Sequence, residues 1–346
     1  MLLFTSMNAI GCVTKKMNTS TRPAIYQFSA YPFQKKKHKN NIYPLNINIG
    51  LVQKLLAVAI LMSMMTPLHS QQEDSTSVFR KRKWVIGSST AIAAGTSYYL
   101  LNDLWYKNYA RSSFHFFNDN DEWLQMDKVG HGFTTYTIGR YMCDALRWSG
   151  ASENTSVWLG GTSGLIYLSG IEIMDGKSKA WGFSYGDMIA NASGSFLFIV
   201  QEKIFREQRI TLKFSYSESD FAMLNSDQLG RNFQQRVLKD YNAQTYWASI
   251  NIHSFLASDA AFPRWMNIAI GYGATKMTSA EMNDFSVNNF QREREFYLSF
   301  DADLNRVRWK KKWMKTTAKI FSFIKIPTPT FEMRSGGQTK FHWMFF

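Results

Sequence analysis

Acidic residues are missing from the first seventy positions of this 346-residue chain. That stretch holds eight Lys and Arg and no Asp or Glu, whereas the whole chain carries 26 acids. The formal charge of +14 is therefore unevenly spread. The remaining 276 residues hold 32 basic and 26 acidic side chains, a net of only +6. That balance is too mild for a polyanion-binding surface, and nucleic acid is not an expected partner. Cysteine is nearly absent too. Cys12 and Cys143 are the only two, which excludes a disulfide-stapled scaffold and any multi-cysteine zinc ribbon. No Gly-rich phosphate loop, nucleophile elbow or His-Glu-x-x-His occurs. Wholesale disorder is excluded, because 45% of the residues are hydrophobic and 19% charged.

Residues 1–50 are rich in Lys, Asn, Tyr, Phe and Ile and show no periodic apolar face. They read as a spurious extension translated from upstream sequence, with a disordered basic tail as the alternative. Ala9-Ile-Gly-Cys12 has the outline of a lipobox but lacks the basic and apolar segments that should precede it. Residues 51–70 then read as an export signal. Lys54 is followed by an 11-residue apolar run, 55–65, and by polar Gln71-Gln-Glu-Asp-Ser75. A run that short fits a signal peptide rather than a membrane span. Cleavage near Ser70 is expected, and N-terminal sequencing of envelope-fraction protein should begin at or within a few residues of Gln71. Cys143 would then stand alone in an apolar helical pattern, as a small core residue.

Beyond a polar stretch ending in Arg80-Lys-Arg-Lys83, residues 84–101 carry no charge and predict a buried or membrane-embedded helix. Asn118-Asp-Asn-Asp-Glu122 places acids where they would open the next helix. Residues 133–148 form an amphipathic helical pattern with Arg140, Asp144 and Arg147. Residues 157–173 are apolar, and Gly160, Ser163 and Gly164 permit close helix contact. Ser184-x-x-Asp187 has the spacing of a capping box before a helix over 188–202. From about residue 209 the period changes to two. Residues 209–216, 245–252, 266–272 and 296–303 alternate apolar and polar side chains, as antiparallel strands with one apolar face do. Residues 309–323 read as a basic amphipathic helix among these strands, and residues 340–346 close the chain with aromatics. The expected fold class is α+β. A helical bundle over 84–205 is followed by an antiparallel β region over 209–346. A partial or complete outer-membrane-type barrel is the alternative; five or six strands are fewer than the eight such a barrel needs.

Polar residues inside apolar helices carry the functional signal. Asp127 and His131 are four apart and share a helix face. Glu172 lies near the end of the 157–173 pattern, with Asp175 one turn on. Ser184, Asp187 and Asn191 form a third stripe. Three helices thus each offer a polar seam to a common interior. An imidazole among carboxylates can serve as general acid or base, so His131, Glu172 and Asp187 are candidate catalytic residues. The same three can hold a divalent metal through N and O ligands. Asp127, Lys128, Ser184 and Asn191 complete the polar network, and a purely structural network is the third reading.

These residues resemble a known pattern. Asp127-Lys-Val-Gly-His131, then Glu172, then Ser184-x-x-Asp187-x-x-x-Asn191-x-x-Gly194 is similar to the motif of VanZ-like membrane proteins. It is closer still to the YfiM-like family of predicted periplasmic lipoproteins, in versions from Bacteroidetes with a β-rich C-terminal half. The resemblance covers about residues 84–205. It implies a VanZ-like helical bundle and an envelope location, and it supplies no established activity; VanZ-like proteins are linked to low-level glycopeptide resistance. The chain departs in having Asp175 where VanZ-like proteins have a Gln, and in lacking a usable lipobox. The expected protein is exported and associated with the periplasm or outer membrane. It binds a membrane lipid or another envelope component without catalysis. An enzyme acting on an envelope lipid or glycan is the alternative. Substrate and oligomeric state stay open.

Overall fold

The computed structural model describes residues 75–104, 106–257, 259–281 and 290–346. The expected extension (1–50), the export signal (51–70) and Cys12 lie outside the described residues. Among the described residues, seven α-helices and a six-stranded antiparallel sheet make an α+β fold. Helix α1 is Ser75–Leu104, α2 Met126–Trp148, α3 Glu153–Asp175 and α4 Tyr185–Phe205. Short strands β1 (Phe116–Phe117) and β2 (Phe183–Ser184) pair in parallel. The large sheet runs β3 (Ile210–Tyr216), β4 (Gln244–Asn251), β5 (Met266–Thr275), β6 (Glu293–Ala302), β7 (Thr328–Arg334) and β8 (Thr339–Phe345), each strand antiparallel to the next. Between β3 and β4 lie α5 (Ser226–Leu229) and α6 (Phe233–Lys239), and α7 (Lys312–Ile320) precedes β7.

Helices α2, α3 and α4 pack on one another over Tyr136, Cys143, Val157, Phe198 and Ile199. Cys143 is a fully buried member of that core, and burial pushes its thiol up to about 12. The helices approach to backbone distance where glycine allows it. A Cβ on Gly164 would lie 2.5 Å from the Thr135 carbonyl oxygen, and one on Gly194 2.2 Å from that of Gly132. Alanine ordinarily favours a helix interior over glycine by about 1 kcal/mol. Here Gly194→Ala should instead destabilise by ~1–3 kcal/mol, because backbone must move apart. A denaturant melt checks this, and a stabilised variant would contradict the close approach.

Residues 84–101 are neither buried nor a span. They belong to α1, whose Trp84, Ile92 and Tyr99 are exposed, Trp84 by 75%. The helix rests on α3 through Tyr98, which donates to the Tyr167 carbonyl at 2.6 Å. No helix among the described residues is long and apolar enough to cross a membrane.

The two faces of the sheet differ along its width. On β3 and β4 the apolar row does meet the bundle: Phe214 and Tyr246 pack on Phe133 of α2. On β5–β8 it faces outward. Ile270, Leu298 and Phe300 are 54%, 52% and 55% exposed, and Phe331, Met333, Phe341 and Trp343 are exposed as well. The buried row is mostly polar, with Lys213, Ser249, Asn267, Ser299, Asp301, Thr330 and Glu332 around a small cluster of Trp247, Ala269 and Tyr297. The polar groups satisfy one another. Lys213 pairs with Asp301 at 2.5 Å, and Ser249 donates to Asp301 at 2.6 Å. The sheet curls, so that Phe214 of β3 bonds to Phe323 and Lys325 ahead of β7. It does not close. Edge strands β3 and β8 do not pair, which rules out the complete barrel.

Candidate functional site

The polar seam is assembled by local chain geometry. Trp123, Leu124 and Gln125 all take left-handed backbone conformations, with φ of 47°, 51° and 64°. For non-glycine residues each such position costs roughly 1–2 kcal/mol. The β region holds them: Trp123 N donates to the Ala280 carbonyl at 2.8 Å, and Arg294 donates to the Gln125 side chain at 2.6 Å. This turn, rather than a helix opened by Asn118–Glu122, delivers α2 at Met126 with Asp127, Lys128 and His131 facing inward. Ser184 caps α4, its hydroxyl accepting from Asp187 N at 3.0 Å. The pairing of β1 with β2 brings Asp119, two residues beyond β1, against that cap.

His131 lies at the centre. Its Nδ1 donates to Asn191 Oδ1 at 3.1 Å, which also accepts from Thr135 Oγ1 at 3.1 Å. Glu172 Oε1 is 3.7 Å from the same ring nitrogen, and Asp127 Oδ1 is 3.9 Å from Nε2. The hydroxyl of Tyr241 donates to Asp127 from the β region. Lys128 Nζ is 2.7 Å from Asp119 and 3.3 Å from Asp187, and Ser184 Oγ donates to Asp119 at 2.6 Å. Ser184 N donates to Glu172 Oε2 at 3.2 Å. Next to Glu172, Asp175 accepts from Tyr106 at 2.7 Å. Glu172, Asp187, Ser184 and Asn191 are buried, and Asp127, Lys128 and His131 are half-buried.

Five carboxylates against one lysine and one imidazole cannot all stay ionised in such a place. Burial pushes Asp187 up to about 8, and the charge of Asp127 adds to the rise. Burial likewise brings Glu172 to about 7 against the pull of His131, and Asp175 to about 7 against its bond from Tyr106. Burial opposes ionisation of Asp119, but hydrogen bonds from Asp187, Lys128 and Ser184 outweigh it and hold its carboxyl below the usual range. The nearer partner of Lys128 is therefore the more readily ionised one, and burial favours the protonated form of Asp187 until a cation displaces that proton. Burial also opposes a charge on His131, yet Asp127, Asp187 and Glu172 together raise its pKa. Several groups thus titrate near neutrality within one contact of each other. Such a seam can store or pass a proton, or exchange its protons for a cation.

All seven residues expected at the site meet in this seam: Asp127, Lys128, His131, Glu172, Ser184, Asp187 and Asn191. The three side chains that converge most closely differ in one member from the trio singled out in the sequence. Atoms of Asp127, His131 and Asp187 lie within 4.8 Å of one another. Glu172 stands at the other ring nitrogen. Asp119, Thr135 and Tyr241 were not expected there. Asp119 reads as helix punctuation in the sequence, and Tyr241 is 114 residues from its partner.

Residues 115–202 match the family described as "Predicted periplasmic lipoprotein (DUF2279)". No curated protein and no solved structure matches the chain. The matched segment contains every residue of the seam except Tyr241 and Tyr106. Its description agrees with an exported, periplasm-associated protein of the cell envelope.

Proposed function

We propose that this is a non-catalytic envelope protein that rests on a membrane and binds lipid through the outward apolar face of its sheet. The observation that carries the reading is the polarity of β5–β8, apolar outside and mostly polar within. A strand row facing water is ordinarily polar; the reverse suits a hydrocarbon neighbour. The buried polar row is hydrogen-bonded internally, so the fold does not need the apolar row for its own core. Seating is face-on. Open sheet edges are not tolerated inside hydrocarbon, and face-on contact lets side chains dip in while the backbone stays at headgroup level. Exposed Lys310, Lys311, Lys312 and Lys315, beside Trp313 of α7, suit anionic headgroups. The test is flotation of purified protein with anionic vesicles in high salt. Wild type should float, and Leu298→Asp with Phe331→Asp should stay in the soluble fraction with its helicity intact. Full release of wild type by salt, or floating of the double variant, would end the proposal.

The seam favours a second reading, an acid–base enzyme acting on an envelope lipid or glycan, because Glu172 and Asp187 titrate close to neutrality. Turnover of envelope lipid or isolated glycan that disappears in a folded Asp187→Asn variant would support it. Turnover unchanged in that variant would remove the seam from the chemistry.

A further inference from the structure

The geometry points to a binding site for one divalent transition-metal-class cation, of the zinc type, held by Asp127, His131 and Asp187. Three features bear on it. First, the ligand atoms converge from two helices to within 4.8 Å of one another. In the tetrahedral geometry such an ion prefers, donors about 2.0–2.2 Å from it stand about 3.3–3.6 Å apart, so closure asks the side chains to draw in by about an ångström, within the reach of rotamer adjustment. One imidazole with two carboxylates suits zinc-class ions, whereas calcium and magnesium favour all-oxygen sets.

Second, the histidine is oriented from behind. Asn191 Oδ1 accepts from Thr135, so it also accepts from His131 Nδ1 and fixes that nitrogen as the protonated one. The lone pair is then on Nε2, the nitrogen facing Asp127. A hydrogen bond on the far nitrogen is how metal-binding histidines are held in place.

Third, the seam has an unused donor. Asn191 is fully buried, yet its Nδ2 has no hydrogen-bond partner. A buried amide donor left unmade costs about 1–3 kcal/mol. It marks the seam as a place that would take in one more oxygen, whether of water or of a ligand. Charge points the same way. Asp119 is matched by Lys128, which leaves Asp127, Asp187 and Glu172 facing a single imidazole.

This inference does not rest on lipid seating and is tested without vesicles. Purified full-length protein is stripped with chelator, titrated with zinc chloride by calorimetry, and assayed for metal after dialysis. One zinc per chain should bind, raise the melting temperature and be removed by chelator. Asp127→Asn keeps the shape of a half-buried position, and it should weaken binding by about 100-fold; His131→Ala should do the same. His342→Gln, at the separate His342–Glu332 pair on the sheet, should leave binding unchanged. No binding by wild type, or equal binding by Asp127→Asn, would overturn the site. Loss of binding in His342→Gln alone would assign the metal to the sheet and overturn it equally.

Discussion

With metal chelated, the protein should be more stable at pH 5 than at pH 8, the reverse of ordinary acid denaturation. Glu172, Asp175 and Asp187 each hold a proton more tightly folded than unfolded, as do Glu122 and His131. Protons therefore favour the folded state, and that stabilisation fades as pH climbs through about 7 to 8. Glu172 alone, raised from 4.5 to about 7, contributes on the order of 3 kcal/mol. The groups around it are coupled, so contributions do not add. Facing them are Asp119 and Asp127, Lys128, Tyr241 from the β region, and Tyr106 beside Asp175. At ~2–4 °C per kcal/mol, a fall of roughly 6–12 °C in Tm is expected between pH 5 and pH 8. The window closes there, because burial lowers Lys325 to about 8 and gives the opposite slope above it. Glu172→Gln should flatten the profile. A Tm that rises from pH 5 to pH 8 would mean that these carboxyls are not held neutral by the fold.

The second large effect lies inside the curled sheet. Asp301 is fully buried between two lysines, 2.5 Å from Lys213 and 4.0 Å from Lys325, and also accepts from Ile326 N at 3.3 Å. Lys325 donates to the carbonyls of Phe300 and Ile326 at 2.7 and 2.8 Å and lies over the Trp247 ring. Asp301→Ala removes the carboxylate that stands beside two buried ammonium groups. Breaking such a pair costs ~3–5 kcal/mol, most of it from the charge left behind. Denaturant melts should show that loss. A second change, Lys213→Met, should recover much of it, since replacing a buried pair with apolar groups is often neutral. A loss under 1 kcal/mol in Asp301→Ala would mean that water reaches this interior and that the polar row is not sealed.

The bundle and its seam are legible in the sequence because polar residues at three- and four-residue spacing stand out within apolar helices. Asp127/His131 and Ser184/Asp187/Asn191 fall on helix faces by arithmetic alone. What brings Asp119 to them is a two-residue strand pairing, too short to leave a pattern. The turn at 123–125 is equally silent, because Trp, Leu and Gln do not announce left-handed backbone as glycine does. In the β region the alternation locates β3–β6 and β8 but is symmetric between faces. It cannot say which row is inside, and the apolar row meets the bundle only on β3 and β4. Strand β7 escapes notice since Pro329 lies within it, a residue tolerated in a strand only at special positions. The amphipathic segment 309–323 contracts to α7, whose ends meet the Lys310-Lys-Lys312 run and the turn at 321–324.

The most direct measurement of the central claim is the surroundings of residue 298 in a lipid bilayer. An environment-sensitive fluorophore is attached to Leu298→Cys, with Cys12 and Cys143 replaced by Ala, and the protein is bound to vesicles carrying brominated acyl chains. The outward apolar row of β6 predicts strong quenching by the brominated chains and protection from iodide in water. Free quenching by iodide with no effect of the brominated lipid would show that this face meets water, and would contradict the membrane-resting account.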